Sequence, residues 1–344
     1  MIEFNNIYYI ICIIFLLASI IIYIFNKKNI LIDQVIHSNH KKLKNNNLKS
    51  PSLCGGIIIF ICSLLFFQNL PLLNFFSLLI LVTGLLSDTN KISSPKKRIL
   101  FQFIVCLGFI ILTNLGIKDL RIETFNYLLN YNLISLIFTV FCILILINGS
   151  NFLDGLNTLV IGYYSLVCFF LILLSVNFDL KINSNINILL IILLVLYLFN
   201  FFGKIYLGDS GSYLMGFYIS FFVIDFSLNN YLASPFLICF LLWYPAFENL
   251  FSILRRLLSR NKMDAPDQYH LHQMIYNYFI NKKFIKVKYV NTFVANLINI
   301  YNFIIFASFY KFYSNTKILI LAIMTNVIIY LIVYFFIKKN YYRK

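Results

Sequence analysis

Eleven apolar runs, each close to the length that crosses a bilayer, divide this chain into short polar breaks, and that pattern dictates most of what it can fold into. The runs are 7–25, 54–70, 72–87, 99–116, 131–147, 158–178, 186–202, 211–228, 232–251, 292–310 and 316–337. A helix needs about 20 apolar residues to cross the hydrocarbon. Lipid offers no partner to exposed backbone groups, so helices are the expected element. Only 12% of the residues are charged, and the mean hydropathy is +0.85. A soluble domain is typically about one quarter charged. The expected architecture is all-α: a polytopic membrane helix bundle of about 11 transmembrane helices, with 1–344 as one integral membrane domain.

Each span reverses the side of the membrane, so the breaks that follow odd-numbered spans share one face. Those breaks hold 23 of the 28 Lys and Arg residues; the even-numbered breaks hold the other five. Cytoplasmic loops carry the excess of positive charge, which puts the odd face in the cytoplasm and the N-terminus outside. The cytoplasmic loops are then about 26–53, 88–98, 148–157, 203–210 and 252–291. No Lys or Arg precedes the first run, and Lys27 and Lys28 follow it, so a retained anchor is expected rather than a cleaved signal peptide. The net charge of +16 reads as topology signal and attraction to anionic headgroups, not as nucleic-acid binding. Residues 281–291 mix Lys with Phe, Ile, Val and Tyr, which predicts a basic amphipathic helix in the interface. The seven cysteines form no C-x-x-C pair and read as small apolar packers.

The scarce acids collect on the same face. Asp33, Asp88, Asp154, Asp209 and the His270/His272 pair all fall in odd-numbered breaks, which points to a single site. Asp88 closes a span and is followed by Lys91, Lys96, Lys97 and Arg98. A magnesium-bound pyrophosphate would meet such a set, with the carboxylate on the metal and the cations on the phosphates. An ordinary loop carrying topology charge is the other reading. Asn151, Asp154 and Asn157 are spaced three apart amid apolar sequence. Polar groups there are costly unless they face water or a ligand; a capped loop turning at Asp154-Gly155 is the alternative. In Gly203–Ser212, small residues permit close backbone approach, and a helix start offers N–H groups to phosphate. Asp209 is a candidate metal ligand and Lys204 a candidate phosphate contact, while Asp209 or Ser210 can equally cap the helix. The longest loop carries Arg255-Arg256 and then His270-Leu-His272. Zinc would want about four ligands with no cysteine near, so these histidines are expected to bind phosphate or sugar. Glu248 is expected to orient Arg255 and Arg256. His37 and His40 receive no role.

Together these motifs resemble the polyprenyl-phosphate N-acetylhexosamine-1-phosphate transferases. Asn151-Phe-Leu-Asp-Gly-Leu-Asn157 looks like that family's N-x-x-D-G-x-(D/N) element, and Gly208-Asp-Ser-Gly-Ser212 like its G-D-x-G-S/A element. Lys49 with Gly55-Gly56 resembles its basic residue and Gly-Gly pair; His270-Leu-His272 resembles its histidine motif. The resemblance spans roughly 30–275 and departs in two places. Ser87-Asp88 stands where the family has paired aspartates, and Asn157 stands where many members have Asp. Ser52-Leu-Cys54 and a single His-x-His fit the O-antigen-initiating branch better than the peptidoglycan phospho-MurNAc-pentapeptide transferase.

The resemblance implies an enzyme of the bacterial inner membrane that moves a sugar 1-phosphate from a UDP-linked N-acetylated sugar to undecaprenyl phosphate. It implies Mg²⁺ or Mn²⁺ on Asp209 and Asp88, and Asp154 in catalytic positioning or base work. It implies nucleotide contacts from Lys49, Asn151 and Asn157, and sugar or phosphate contacts from His270, His272 and Arg256. Membrane lipid is an expected partner and a homo-oligomer is compatible with the chain. The rival readings are a transporter, a non-catalytic scaffold and the peptidoglycan enzyme.

Overall fold

A computed structural model describes residues 4–32, 50–258 and 269–341. Among the described residues it contains fourteen α-helices and no β-strand. Twelve of the helices occupy the eleven apolar runs, with the ninth run split in two: α1 (Phe4–Lys27), α2 (Gly55–Phe66), α3 (Pro71–Asp88), α4 (Pro95–Thr113), α6 (Asn132–Leu153), α7 (Leu159–Phe178), α8 (Asn185–Phe201), α9 (Gly208–Asn229), α10 (Pro235–Leu241) with α11 (Trp243–Leu258), α13 (Val287–Phe309) and α14 (Thr316–Tyr341). Two short helices lie outside the runs, α5 (Glu123–Leu129) and α12 (Leu271–Lys282). Seven helices are long and apolar enough to cross a membrane, and the bent α10–α11 pair makes an eighth. Helices α2 and α8 are apolar but shorter. Helix α4 opens on Lys96, Lys97 and Arg98, which places its start at the interface. The protein is a multi-pass membrane helix bundle.

The ninth run departs from the expected single straight helix. Helices α10 and α11 meet at 74°. Pro245 lies in the first turn of α11 and has no N–H to give to the carbonyl four residues back, Leu241. The Tyr163 hydroxyl donates to that carbonyl instead, at 2.8 Å. The amphipathic helix expected over 281–291 is also not one element. Lys283 takes a left-handed φ of +55° and ends α12; α13 starts at Val287.

The alternation of faces is visible in contacts between distant breaks. On the even face, Arg121 donates to the carbonyls of Tyr231, Leu232 and Ser314. There too Ser234 N donates to the Tyr313 carbonyl. On the odd face, Asn26 accepts from Ser52 N, Tyr206 N donates to the Ser52 carbonyl, and Asn157 N donates to Asn291. Breaks 110 residues apart therefore meet on the side that span parity assigns them.

Helix α9 is the centre of the bundle. Its 22 residues are buried almost all round, against α2, α3 and α6. A helix apolar on every face belongs inside. Helices α1 and α14 present most of their surface outward, as lipid-facing helices do. Burial of α9 brings its N-terminus, Gly208-Asp209-Ser210, to the end of α3, and that placement builds the site.

Candidate active site

The end of α3 and the start of α9 are joined by Asp88. Its carboxylate accepts from the backbone N–H of Asp209 at 2.8 Å and of Ser210 at 3.0 Å. A carboxylate on the first amides of a helix satisfies donors that lack an intrahelical partner and matches the positive end of the helix dipole. The cap comes from Asp88 across 121 residues, not from Asp209 or Ser210 as the sequence suggests. It also occupies the N–H groups that the sequence reading offered to a phosphate. Gly208 turns the chain into α9 at φ +76°, and a Cβ there would lie 2.9 Å from Asp88 Oδ2. A side chain at that position would displace the cap.

Asp209 projects beside this joint. Its Oδ2 accepts from Ser87 Oγ at 2.5 Å and from Arg98 Nη1 at 3.1 Å. Arg98 Nη1 also reaches Ser87 Oγ at 2.8 Å and Tyr213 Oη at 3.4 Å. Ser87, in the place of an expected acid, thus acts as a hydroxyl bridge between Arg98 and Asp209.

The second motif faces the same hydroxyl. Asn151 Nδ2 lies 3.4 Å from Tyr213 Oη, and Ser212 Oγ lies 3.4 Å from Asn151 Oδ1. Helix α6 ends at Leu153, and Asp154 is its C-cap residue, half-buried, with its N–H on the Asn151 carbonyl. The loop then strains. Thr158 sits at φ +70°, a region a β-branched side chain avoids. Three amides from other helices hold it there. Asn200 accepts from Thr158 N at 2.5 Å, Asn299 donates to the Thr158 carbonyl at 3.0 Å, and Asn291 accepts from Asn157 N at 2.7 Å. The Asn157 side chain faces Gly203.

The histidine motif joins through aromatic packing. The His270 ring lies 5.1 Å from the Phe152 ring, one residue from Asn151. His270 Nδ1 is 2.9 Å from Glu248 Oε1, and Tyr330 Oη donates to Glu248 Oε2 at 2.8 Å. Glu248 therefore does not orient the arginine pair. Arg255 donates instead to the Tyr269 carbonyl and to Tyr334 Oη, and packs among Phe251, Tyr269 and Tyr334. His272 is 0% exposed, and both of its ring nitrogens are buried without a hydrogen-bond partner. Its ring stacks on His270 at 5.8 Å.

Burial, reinforced by the neighbouring His270, pushes the His272 ring down to about 3. The unfolded chain protonates that imidazole near pH ~6.5. Between those values the unfolded state binds the extra proton, so stability rises with pH and is lost on acidification. The His272 contribution to that loss should reach about 2 kcal/mol at pH 5. Thermal melts of wild type and His272→Asn in detergent at pH 7.5 and pH 5 check this, the variant being the less pH-sensitive of the two.

Lys204 is exposed and lies beside α1, its carbonyl accepting from Asn26 Nδ2 at 3.4 Å, where it lines a surface groove with Tyr23 and Lys27. Arg256 follows Arg255 in the last turn of α11. Lys49 and Asp33 lie outside the described residues. Among the described residues no three His, Cys, Asp or Glu side chains group as a ready-made metal cage. The donors at the joint of α3 and α9 are nevertheless oxygens: the Asp209 and Asp88 carboxylates and the Ser87 and Ser210 hydroxyls, the last buried beside Asp88. That set suits a hard divalent ion completed by phosphate oxygens and water.

Five contributors escape sequence reasoning. Ser87 reads only as a missing acid. Tyr213 is one aromatic among many in an apolar run. Asn200, Asn291 and Asn299 did carry a signal, since isolated amides in apolar helices are costly without a partner.

The fold and this site define a membrane-embedded protein whose acids, amides and cations meet at one face of a helix bundle. Residues 70–227, from the end of the α2–α3 turn through most of α9, match the model of glycosyl transferase family 4. It is 26% identical over 200 residues to a Bacillus subtilis protein named a probable undecaprenyl-phosphate N-acetylglucosaminyl 1-phosphate transferase, covering 57% of this chain and 55% of that one. It is 26% identical over 222 residues to the undecaprenyl-phosphate alpha-N-acetylglucosaminyl 1-phosphate transferase of Thermotoga maritima, covering 64% of this chain and 66% of that one. The aligned part thus spans less than two thirds of either relative.

Proposed function

We propose that this protein transfers a sugar 1-phosphate, with N-acetylglucosamine the first expected sugar, from its UDP-linked form to undecaprenyl phosphate in the bacterial inner membrane. The observation that carries the reading is the joint of α3 and α9, where Asp209, Asp88 and Arg98 meet within hydrogen-bond distance and reach Asn151 through Tyr213. The names of both relatives support the same acceptor and the same sugar.

The chemistry balances as an exchange. A phosphate oxygen of the lipid bonds to the β-phosphorus of the donor. The bond from that phosphorus to the bridging oxygen of UMP breaks, UMP leaves, and a lipid-linked sugar pyrophosphate remains. A phosphate monoester has its second pKa near ~6, so the acceptor is largely dianionic at neutral pH and needs no strong base. What it needs is positioning and charge neutralisation. Asp209 and Asp88 would hold Mg²⁺ or Mn²⁺, which when bound supplies charge neutralisation to the phosphates. Arg98, paired with Asp209, would add positive charge for the phosphates. Asn151 and Asn157 would orient the donor, and Asp154 the reacting groups. Arg256 and the His270 ring would meet the sugar or its phosphate. Lys204 lies at the groove beside α1, where a phosphate of either substrate or of a lipid could contact it. The lipid tail stays in the bilayer while its phosphate reaches the cationic face, which explains why such chemistry is embedded at all.

A transporter would place its polar groups near the midplane, at broken helices; here they gather at one face. The peptidoglycan enzyme is not favoured by the named relatives. The product is expected to enter a cell-surface glycan of the O-antigen type. The test is direct. Protein in nanodiscs with undecaprenyl phosphate and UDP-N-acetylglucosamine should release UMP and form a lipid-linked product only with Mg²⁺ or Mn²⁺, and EDTA should stop it. No UMP release from any of a panel of UDP-sugars would overturn the reading.

A further inference from the structure

We propose that Glu248 is the positioning residue for the histidine motif, clamping the His270 ring between α11 and α14 and setting it against Phe152, beside Asn151 and Asp154. The inference rests on the transferase reading of that site. Nothing in the matched family segment contains it, since Glu248, His270 and α14 all lie beyond residue 227.

The geometry is a two-handed grip. Glu248 is 0% exposed, and its two oxygens go to different elements. Oε1 takes His270 Nδ1 at 2.9 Å and Oε2 takes the Tyr330 hydroxyl at 2.8 Å. Two turns further along the same face of α11, Arg255 takes the Tyr269 carbonyl and Tyr334 Oη. Tyr330 and Tyr334 are themselves buried and stacked 6.2 Å apart. The backbone before His270 and the ring of His270 are thus fixed by one face of α11 and one face of α14. The Phe152 ring, 5.1 Å away, supplies the third side.

Packing alone does not explain a carboxylate in this place. A buried charge costs several kcal/mol in desolvation, and an apolar side chain of the same volume is usually at least as stabilising. What the carboxylate adds is direction. It only accepts, so Nδ1 carries a proton, the ring's orientation is fixed, and Nε2 is the edge turned away from Glu248. The groups against the ring are Glu248 from α11, His272 from α12 and Phe152 from α6, and Tyr330 of α14 reaches it through Glu248.

The experiment uses the full chain in nanodiscs and has two readouts. The first is kinetic. Glu248→Gln should lower kcat/KM by about 10- to 100-fold. Tyr330→Phe, which keeps the ring and removes one hydrogen bond, should lower it by about two- to tenfold. Both losses should vanish in a His270→Asn background, because a residue that acts through His270 has nothing left to position there. The second readout needs no turnover. The chain has only 4 histidines, so ¹⁵N-histidine spectra are simple. Wild type should show one ring with an Nδ1 proton held in a hydrogen bond, absent in His270→Asn and altered in Glu248→Gln. Undiminished kcat/KM in Glu248→Gln, an undiminished loss on adding it to His270→Asn, or no Nδ1-protonated ring in wild type would each overturn the clamp. If wild type transfers no sugar phosphate, the transferase reading falls while the spectra still decide the clamp.

Discussion

Asp209→Asn is expected to reduce UMP release by at least about 10²–10³-fold while leaving a folded protein. The side chain is buried and accepts from both Ser87 and Arg98. Asparagine keeps the volume and one acceptor but removes the charge. Two consequences follow together. A divalent ion held there would lose a carboxylate oxygen, and the Arg98 guanidinium, 18% exposed, loses its counter-charge. Removing one partner of a buried pair is destabilising, so the melting temperature must be measured beside the rate. The distinguishing control is Ser87→Ala. It removes the hydroxyl bridge but leaves both charges, and should cost only about two- to tenfold. Equal activity in Asp209→Asn and wild type would remove Asp209 from the metal and phosphate roles.

The meeting of Asp88, Asp209 and Arg98 was legible in the sequence in part, because acids are rare in an apolar chain and span parity put Asp88, Asp154 and Asp209 on one face. The runs were legible for the same reason: each of the eleven is helical, since lipid leaves the backbone no other way to pair. The bend between α10 and α11 was written in Pro245 but masked by continuous hydropathy through 232–251. The division of labour at the site was not legible. Asp88 and Asp209 look alike in sequence, yet Asp88 also caps α9 through two backbone amides while Asp209 pairs with Arg98. Only the packing of α3 on α9 decides which does which. Glu248 went to the wrong partner for a related reason. Its basic neighbours in sequence are Arg255 and Arg256, but its partners in space come from residues 270 and 330. Periodicity predicts the face a side chain takes and says nothing of what another helix brings to that face.

Gly84→Ala should show how tightly the site depends on that packing. A Cβ at Gly84 would sit 2.2 Å from Ser210 Cα, 2.6 Å from Ser210 N and 3.0 Å from the Asp209 carbonyl carbon. All three are backbone atoms, so no rotamer change relieves the clash and α9 must move away from α3. Small residues at such crossings let membrane helices approach closely. Overpacking of this kind costs about 1–3 kcal/mol. Here the displaced atoms include the two amides that cap onto Asp88 and the backbone that aims Asp209 at Arg98. Activity should therefore fall further than stability. Gly108→Ala is the matched comparison, because its Cβ would meet only the Phe76 ring edge, at 3.1 Å, and a ring can shift. Melting temperature and UMP release for both variants give the result. A Gly84→Ala protein as stable and as active as Gly108→Ala would mean that the approach of α3 to α9 does not set the geometry of the acidic centre.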